Sequence, residues 1–296
     1  MLYFYFKQPN PNKIIDNALK EEEQQEKHDE NNTNDAYENA NEPDDIEDEE
    51  VNQKPEEDDS DSETIDQIKD IFLEAFVGTF DFFRNKDVNI VAIGDSLTQG
   101  IGDESEQGGY VGIIDRTINH NEDVVHFDNF GKNGNRTDQL LVRLEDPDIV
   151  DRIEDAHIVL ITIGANDIMQ VAKENFTNLT YDKFAAEQDH FEERLNEIFE
   201  TIRELNSNTQ IYLLGIYNPF EKYFPEVEEL NQIVDDWNEI SKRTTESYDD
   251  AIFIPVKDLF DDADVDLFSD DNFHPNIIGY ERMAKRVITY LRSEER

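Results

Sequence analysis

A run of β-branched residues that stops at a glycine and is followed at once by a serine constrains this chain more than any other feature. Val88, Ile90, Val91, Ala92 and Ile93 form the run, Gly94 ends it, and Asp95-Ser96-Leu97-Thr98-Gln99-Gly100 follows. So uniformly apolar a run reads as a strand buried on both faces, as in parallel sheets. Gly94 permits a tight turn, and Asp95-Ser96 falls where a helix should begin. Ser96 then stands at the carboxyl end of a strand, the edge of an open α/β sheet where ligands gather. Both residue types are also ordinary helix caps, so the junction alone does not separate chemistry from capping.

Beyond the junction the chain alternates between the two periodicities. Strands are predicted over residues 124–129, 158–163, 211–216 and 252–256. A helix is expected to start near Thr137. A long one carries Phe184, Phe191, Leu195, Ile198, Ile202 and Leu205 on one face. Another carries Val227, Leu230, Ile233, Val234, Trp237 and Ile240, and the last covers residues 276–291. The polar stretch 168–181, with Phe176 in it, reads as a loop long enough to be functional. Repeated strand–helix units imply parallel pairing with right-handed crossovers. The predicted fold is a three-layer α/β/α sandwich on a flavodoxin-like, five-stranded parallel sheet.

Three short segments follow predicted strands and a fourth precedes the last helix. They are Gly94-Asp95-Ser96, the stretch Asn129-Phe130-Gly131-Lys132-Asn133-Gly134-Asn135-Arg136-Thr137, then Gly164-Ala165-Asn166-Asp167, and finally Asp271-Asn272-Phe273-His274-Pro275. In a parallel sheet all four lie on one rim, where a multi-residue site can form. A serine hydroxyl needs a base to take its proton. Of the six histidines, His28 falls in a polar leader, His126 and His157 in or beside strands, and His120 and His190 in helix-like surroundings. Only His274 sits in a rim loop, stiffened by Pro275 and preceded three residues earlier by Asp271, which could fix its tautomer. Read blandly, Asp271 belongs to a solvated acidic turn and His274 caps the last helix. By themselves Gly134 and Asn166 read as turn residues.

Together these segments resemble the conserved blocks of the SGNH (GDSL-type) hydrolase superfamily, in particular its bacterial extracytoplasmic lipase/esterase branch. The resemblance spans about residues 89–291. It implies Ser96 as nucleophile, Asp271 and His274 as the rest of a triad, and Gly134 and Asn166 as oxyanion donors beside the Ser96 N–H. Asn133-Gly134-Asn135 fits the family's small-Gly-polar pattern, with Gly131 as the rival glycine. The implied activity is cleavage of carboxylic esters through an acyl-serine, falling as acid protonates His274. Phe220, Tyr223 and Phe224 are candidates for an acyl pocket or lid, or for simple loop packing. A carbohydrate O-deacetylase working on envelope or plant polysaccharide would use the same machinery. From another class, the domain could be a binding module with an inactive site, although a full triad argues against it. A flavodoxin-like nucleotide binder is disfavoured by charge and by the lack of a phosphate loop. Asp262-Ala263-Asp264-Val265-Asp266 begins like a calcium loop, but Leu267 stands where the turn glycine belongs and Phe273 where the bidentate Glu belongs. No metal or organic cofactor is implied.

Charge sets the surroundings. The 296 residues hold 26 Lys and Arg against 72 Asp and Glu, a formal net charge of -46. Such a field repels nucleic acid and a bare anionic membrane. Only 22 of the acidic residues fall in residues 1–64, so the globular part is acidic too, which hints at a saline habitat. Residues 9 to about 63 carry few large apolar side chains, and residues 1–63 read as a disordered acidic leader, either a solvated tail with no site or a spacer holding the domain away from a surface. Leu2-Tyr3-Phe4-Tyr5-Phe6 at its start is either a sticky end or the remnant of an anchor. The latter would place the protein outside the cytoplasm or at the surface of a bacterial cell; the former leaves a cytoplasmic location open. Residues 64–87 read as an amphipathic helix packing on the domain, and 88–296 as the hydrolase domain. There is no cysteine, so no thiolate chemistry is available.

Overall fold

The computed structural model describes residues 88–120, 124–219, 228–261 and 265–293. The leader expected over 1–63, the helix expected over 64–87, and Phe220, Tyr223 and Phe224 lie outside the described residues. So do residues 262–264 of the rejected cation loop.

Five strands form one parallel sheet: β1 (Val88–Gly94), β2 (Val125–Gly131), β3 (Ile158–Thr162), β4 (Gln210–Leu214) and β5 (Ala251–Ile254). Their order is β2-β1-β3-β4-β5, the flavodoxin-like order. The chain reverses its direction of growth between β1 and β3, the point of an open α/β sheet outside whose carboxyl ends ligand crevices form.

Eight helices are described: α1 (Ser96–Gln99), α2 (Gly109–Ile118), α3 (Thr137–Arg143), α4 (Pro147–Glu154), α5 (Ala165–Glu174), α6 (Tyr181–Leu205), α7 (Glu228–Glu246) and α8 (Ile277–Ser293). Side chains alternate across the pleat, so each strand feeds two cores. Ile90, Ala92, Leu160, Tyr212 and Leu214 face α2 and α8, meeting Tyr110, Ile114, Ile118, Met283 and Val287. Val91, Ile93, Val159, Ile161, Ile211 and Leu213 face the other way, onto Leu140, Ile153, Phe191, Leu195, Ile198 and Trp237 from α3, α4, α6 and α7. Removing each such side chain from water contributes roughly 1.5–3 kcal/mol. The result is the three-layer sandwich expected from the alternation of periods.

One stretch corrects the sequence reading. Residues 168–181 are not a loop: α5 runs through Glu174, a 3-10 turn covers Phe176–Asn178, and α6 begins at Tyr181. The helix is disguised because part of its buried face is polar. Asn166 and Asp167 are buried together with Met169 and Val171. A buried face that carries amides and carboxylates breaks the apolar period by which helices are recognised. Strand ends shift as well; β2 runs two residues further than expected, to Gly131, and β4 stops at Leu214 rather than at residue 216.

Candidate active site

All four rim segments meet at the β1/β3 crevice. Ser96 is the first residue of α1, directly past β1, and is buried. Asp95 caps that helix by accepting the Leu97 N–H at 3.0 Å. It also accepts the Thr162 hydroxyl at 2.7 Å, which ties the Ser96 turn to the end of β3. Burial pushes the Asp95 carboxyl up to about 6, against the pull of the Thr162 and Leu97 hydrogen bonds and of His274.

His274 reaches the serine from the far end of the chain. Its Nε2 lies 2.9 Å from Ser96 Oγ, and its Nδ1 lies 2.5 Å from Asp271 Oδ2. The other Asp271 oxygen accepts the N–H groups of Phe273 and His274 and the Ser269 hydroxyl, at 2.8, 2.9 and 2.8 Å. Burial opposes the ionised Asp271, but His274 and these N–H donors outweigh it and hold the carboxyl down at about 2. The loop itself is closed by a bridge between Phe268 and Pro275, with Asn272 in the left-handed region at its tip. A hydroxyl, an imidazole and a carboxylate in such a row can pass a proton from the first to the second.

Gly131, the last residue of β2, and Gly134, in the loop beyond it, differ in what surrounds them. Gly131 donates its N–H to Asn129 Oδ1 at 2.8 Å, and a Cβ there would stand 2.1 Å from the Gln99 nitrogen. Gly131 is therefore a close-packing glycine whose donor is spent within its own loop. Gly134 has φ +73 and open space where a side chain would project. Arg143 braces this loop, reaching Phe130 O at 2.6 Å and Asn135 Oδ1 at 2.7 Å. Across the crevice, Asn166 stands in the first turn of α5 and donates through Nδ2 to Asn135 O at 3.0 Å.

The other histidines lie elsewhere. His126 sits on β2 with Nε2 3.3 Å from Asp128, His157 accepts the Asn89 N–H at 3.1 Å, His190 is exposed on α6, and His120 follows α2. His28 is outside the described residues. Among the described residues no group of three or more His, Asp or Glu is arranged to hold a metal ion, and no helix is long and apolar enough to cross a membrane.

Two residues beside the site, Asp167 and Arg194, have no role assigned from the sequence. Asp167 is buried and accepts the Thr137 N–H at 3.1 Å and its hydroxyl at 2.5 Å. Arg194 of α6 adds a contact to Asp167 at 3.2 Å. Burial pushes the Asp167 carboxyl upward against these partners. Its adjacency to Asn166 was the available signal, but Arg194 lies 27 positions away on a helix that read as ordinary.

A flavodoxin-like sandwich with these segments gathered at the switch point is the architecture of the SGNH hydrolases. A model of the GDSL-like lipase/acylhydrolase family matches residues 92–282, and the chain belongs to that family. The uncharacterized protein YpmR of Bacillus subtilis (strain 168) is 38% identical over 209 residues, covering 69% of this chain and 82% of that protein. The spore germination lipase LipC of Bacillus licheniformis is 28% identical over 204 residues, covering 66% of this chain and 92% of that one. Among solved structures, the lipase Lip_vut3 from a goat rumen metagenome superposes with a TM-score of 0.60 at 26% identity, over 68% of this chain and 96% of its own. An acetylxylan esterase from Geobacillus stearothermophilus shares the fold, with a TM-score of 0.55 at 20% identity over 69% of this chain and 94% of that one. Membership of that family makes this an ester-hydrolysing enzyme.

Proposed function

We propose that the protein cleaves carboxylic esters by two-step acyl transfer on Ser96. The observation that carries this reading is the continuous row from Ser96 Oγ through His274 to Asp271, at 2.9 and 2.5 Å. His274 takes the Ser96 proton as the hydroxyl attacks the ester carbonyl, then gives it to the departing alcohol. Water hydrolyses the acyl-serine by the same route in reverse. Asp271 holds the Nδ1 side of the ring and stabilises the imidazolium.

The negative oxygen of the tetrahedral intermediate needs donors already aimed at it. Three are assigned: the Ser96 N–H, which at the start of α1 has no partner within that helix; the Gly134 N–H; and the Asn166 amide. Gly134 is favoured over Gly131 because the Gly131 N–H is already engaged by Asn129. The name of the spore germination lipase supports an ester substrate. The location is assigned as extracytoplasmic or at the cell surface.

Hydrolysis of p-nitrophenyl esters of graded chain length, beside release of acetate from acetylated xylan, tests the reading. Wild type should turn over esters, and Ser96→Ala and His274→Ala should each lose about 10³-fold or more. If both variants kept wild-type turnover, the assignment would be wrong. Preference for acetylated xylan over every simple ester would identify a polysaccharide deacetylase instead.

A further inference from the structure

A primary amide offers two N–H groups, and Asn166 uses one on Asn135 O. That contact fixes the direction of the second N–H, which then depends on how far α5 stands from the loop after β2. The segments that must keep this spacing come from different crossovers of the sheet. They are fastened immediately beside the donors. Thr137, two residues past Asn135, gives its N–H and its hydroxyl to Asp167, the neighbour of Asn166. Arg194 closes the ring from α6: its Nε donates to Thr137 Oγ1 at 2.7 Å and its Nη2 to Asp167 Oδ1 at 3.2 Å and Glu187 Oε1 at 2.6 Å.

The Thr137 hydroxyl is the pivot. It donates to Asp167 and accepts from Arg194, so both of its hydrogen-bonding roles are filled inside the ring. Thr137 is fully buried, and Asp167 is only 3% exposed. A buried and satisfied polar ring of this kind is stiff and specifies one arrangement.

We propose that Thr137, Asp167 and Arg194 are positioning residues that set the separation of the two oxyanion donors, Gly134 and Asn166. They touch no reacting atom and act through those donors. The inference rests on the assignment of Ser96, Gly134 and Asn166 above. Donors are useful only where charge develops, so a small change in their spacing should act on the transition state rather than on the bound ester.

Asp167→Asn is the obvious variant, but it leaves the Arg194 guanidinium partly unpaired and could compromise folding. Thr137→Val and Thr137→Ser avoid this. The valine keeps the shape and the N–H contact to Asp167 and removes both hydroxyl contacts; the serine restores them. The full chain would be assayed with p-nitrophenyl butyrate, using Ser96→Ala as background and active-site titration to count folded sites. A displacement of the donors by up to about 1 Å predicts a fall in kcat of roughly 10- to 100-fold for T137V. KM should stay within about twofold, and T137S should recover most of the loss. The proposal is overturned if kcat per folded site is unchanged in T137V, if only KM moves, or if serine does not rescue. Absence of Ser96-dependent turnover in wild type would sink the underlying assignment and this inference with it. Ser96-dependent turnover with an indifferent T137V would sink this inference alone.

Discussion

Tyr217 Oη donates a 2.9 Å hydrogen bond to the main-chain carbonyl of Phe273, the residue that precedes His274. The ring is buried past the end of β4, stacked on Phe260 with centroids 4.0 Å apart and tilted against Phe268 at 5.8 Å. An aromatic wedge thus stands behind the loop that delivers the imidazole, and one polar contact couples the two.

Tyr217→Phe removes that contact and little else. The Phe273 carbonyl would lose the Tyr217 hydroxyl, at a cost of about 1 kcal/mol. The urea midpoint should fall with an unchanged slope. Turnover should fall too, by less than in His274→Ala, because the loop remains tied at Phe268–Pro275. A variant with wild-type midpoint and turnover would show that the hydroxyl does not hold the loop.

Much of this arrangement was legible in the chain and part was not, for physical reasons. Strands such as β1 and β3 announce themselves because burial on both faces demands unbroken apolar, β-branched residues. His274 was recoverable because a histidine beside a proline, three residues past a carboxylate, has few structural uses on a rim. The α5 helix was lost because Asn166 and Asp167 put polar groups on its buried side. Arg194, Arg143 and Tyr217 were invisible for a different reason. Each acts across the fold on a main-chain or buried polar atom, and no local spacing records such a partner. The proposed preference for Gly134 over Gly131 likewise rests on the Asn129 contact, a short Asx turn the sequence permits but does not require.

Acid should weaken the fold through Asp271. Its folded carboxyl is held at about 2 against an ordinary 3.8, so the ionised form stabilises the folded state. That contribution is complete above pH 4 and is lost as pH falls from about 4 to about 2, worth about 2 kcal/mol in all. Asp271→Asn should therefore be less stable than wild type at pH 7, with the difference shrinking across that window. Its turnover should drop by about 10⁴-fold, since the imidazole loses its orienting partner. Denaturant melts of both proteins at pH 7 and pH 3 give the comparison; a constant difference would deny Asp271 its coupling to the fold.

Gly131 at the end of β2 and Gly134 beyond it should respond oppositely to a methyl group. Gly131→Ala places a Cβ 2.1 Å from backbone of α1, where nothing flexible can yield, and should cost several kcal/mol or prevent folding. Gly134→Ala meets open space, and its φ of +73 costs only about 1–2 kcal/mol. That variant should fold, yet lose turnover as its N–H shifts from the intermediate. Thermal melting separates the pair in stability and ester turnover separates them in function. A Gly134→Ala protein with full activity per folded site would remove Gly134 from the donor set.

Salt should strengthen the domain, and one helix shows where. On α6, Glu197, Glu200 and Glu204 stand one turn apart on an exposed face, and Glu145 joins them across a groove floored by Leu141. Like charges at these spacings destabilise a helix by about 0.2–0.5 kcal/mol per pair. At 1 M salt the screening length falls to about 3 Å and such pairs cease to matter. With a net charge of -46, the melting temperature of wild type should rise from low salt to 1 M sodium chloride. Glu200→Lys turns the repulsive pairs with Glu197 and Glu204 into attractive ones and the i,i+3 pair with Arg203 into a repulsive one, so its net effect should be a gain of a few tenths to about 1 kcal/mol at low salt, most of it lost at 1 M. If the gain persisted undiminished in high salt, it would have to come from packing of the longer lysine stem rather than from relief of charge, and the acidic surface would not be what salt stabilises.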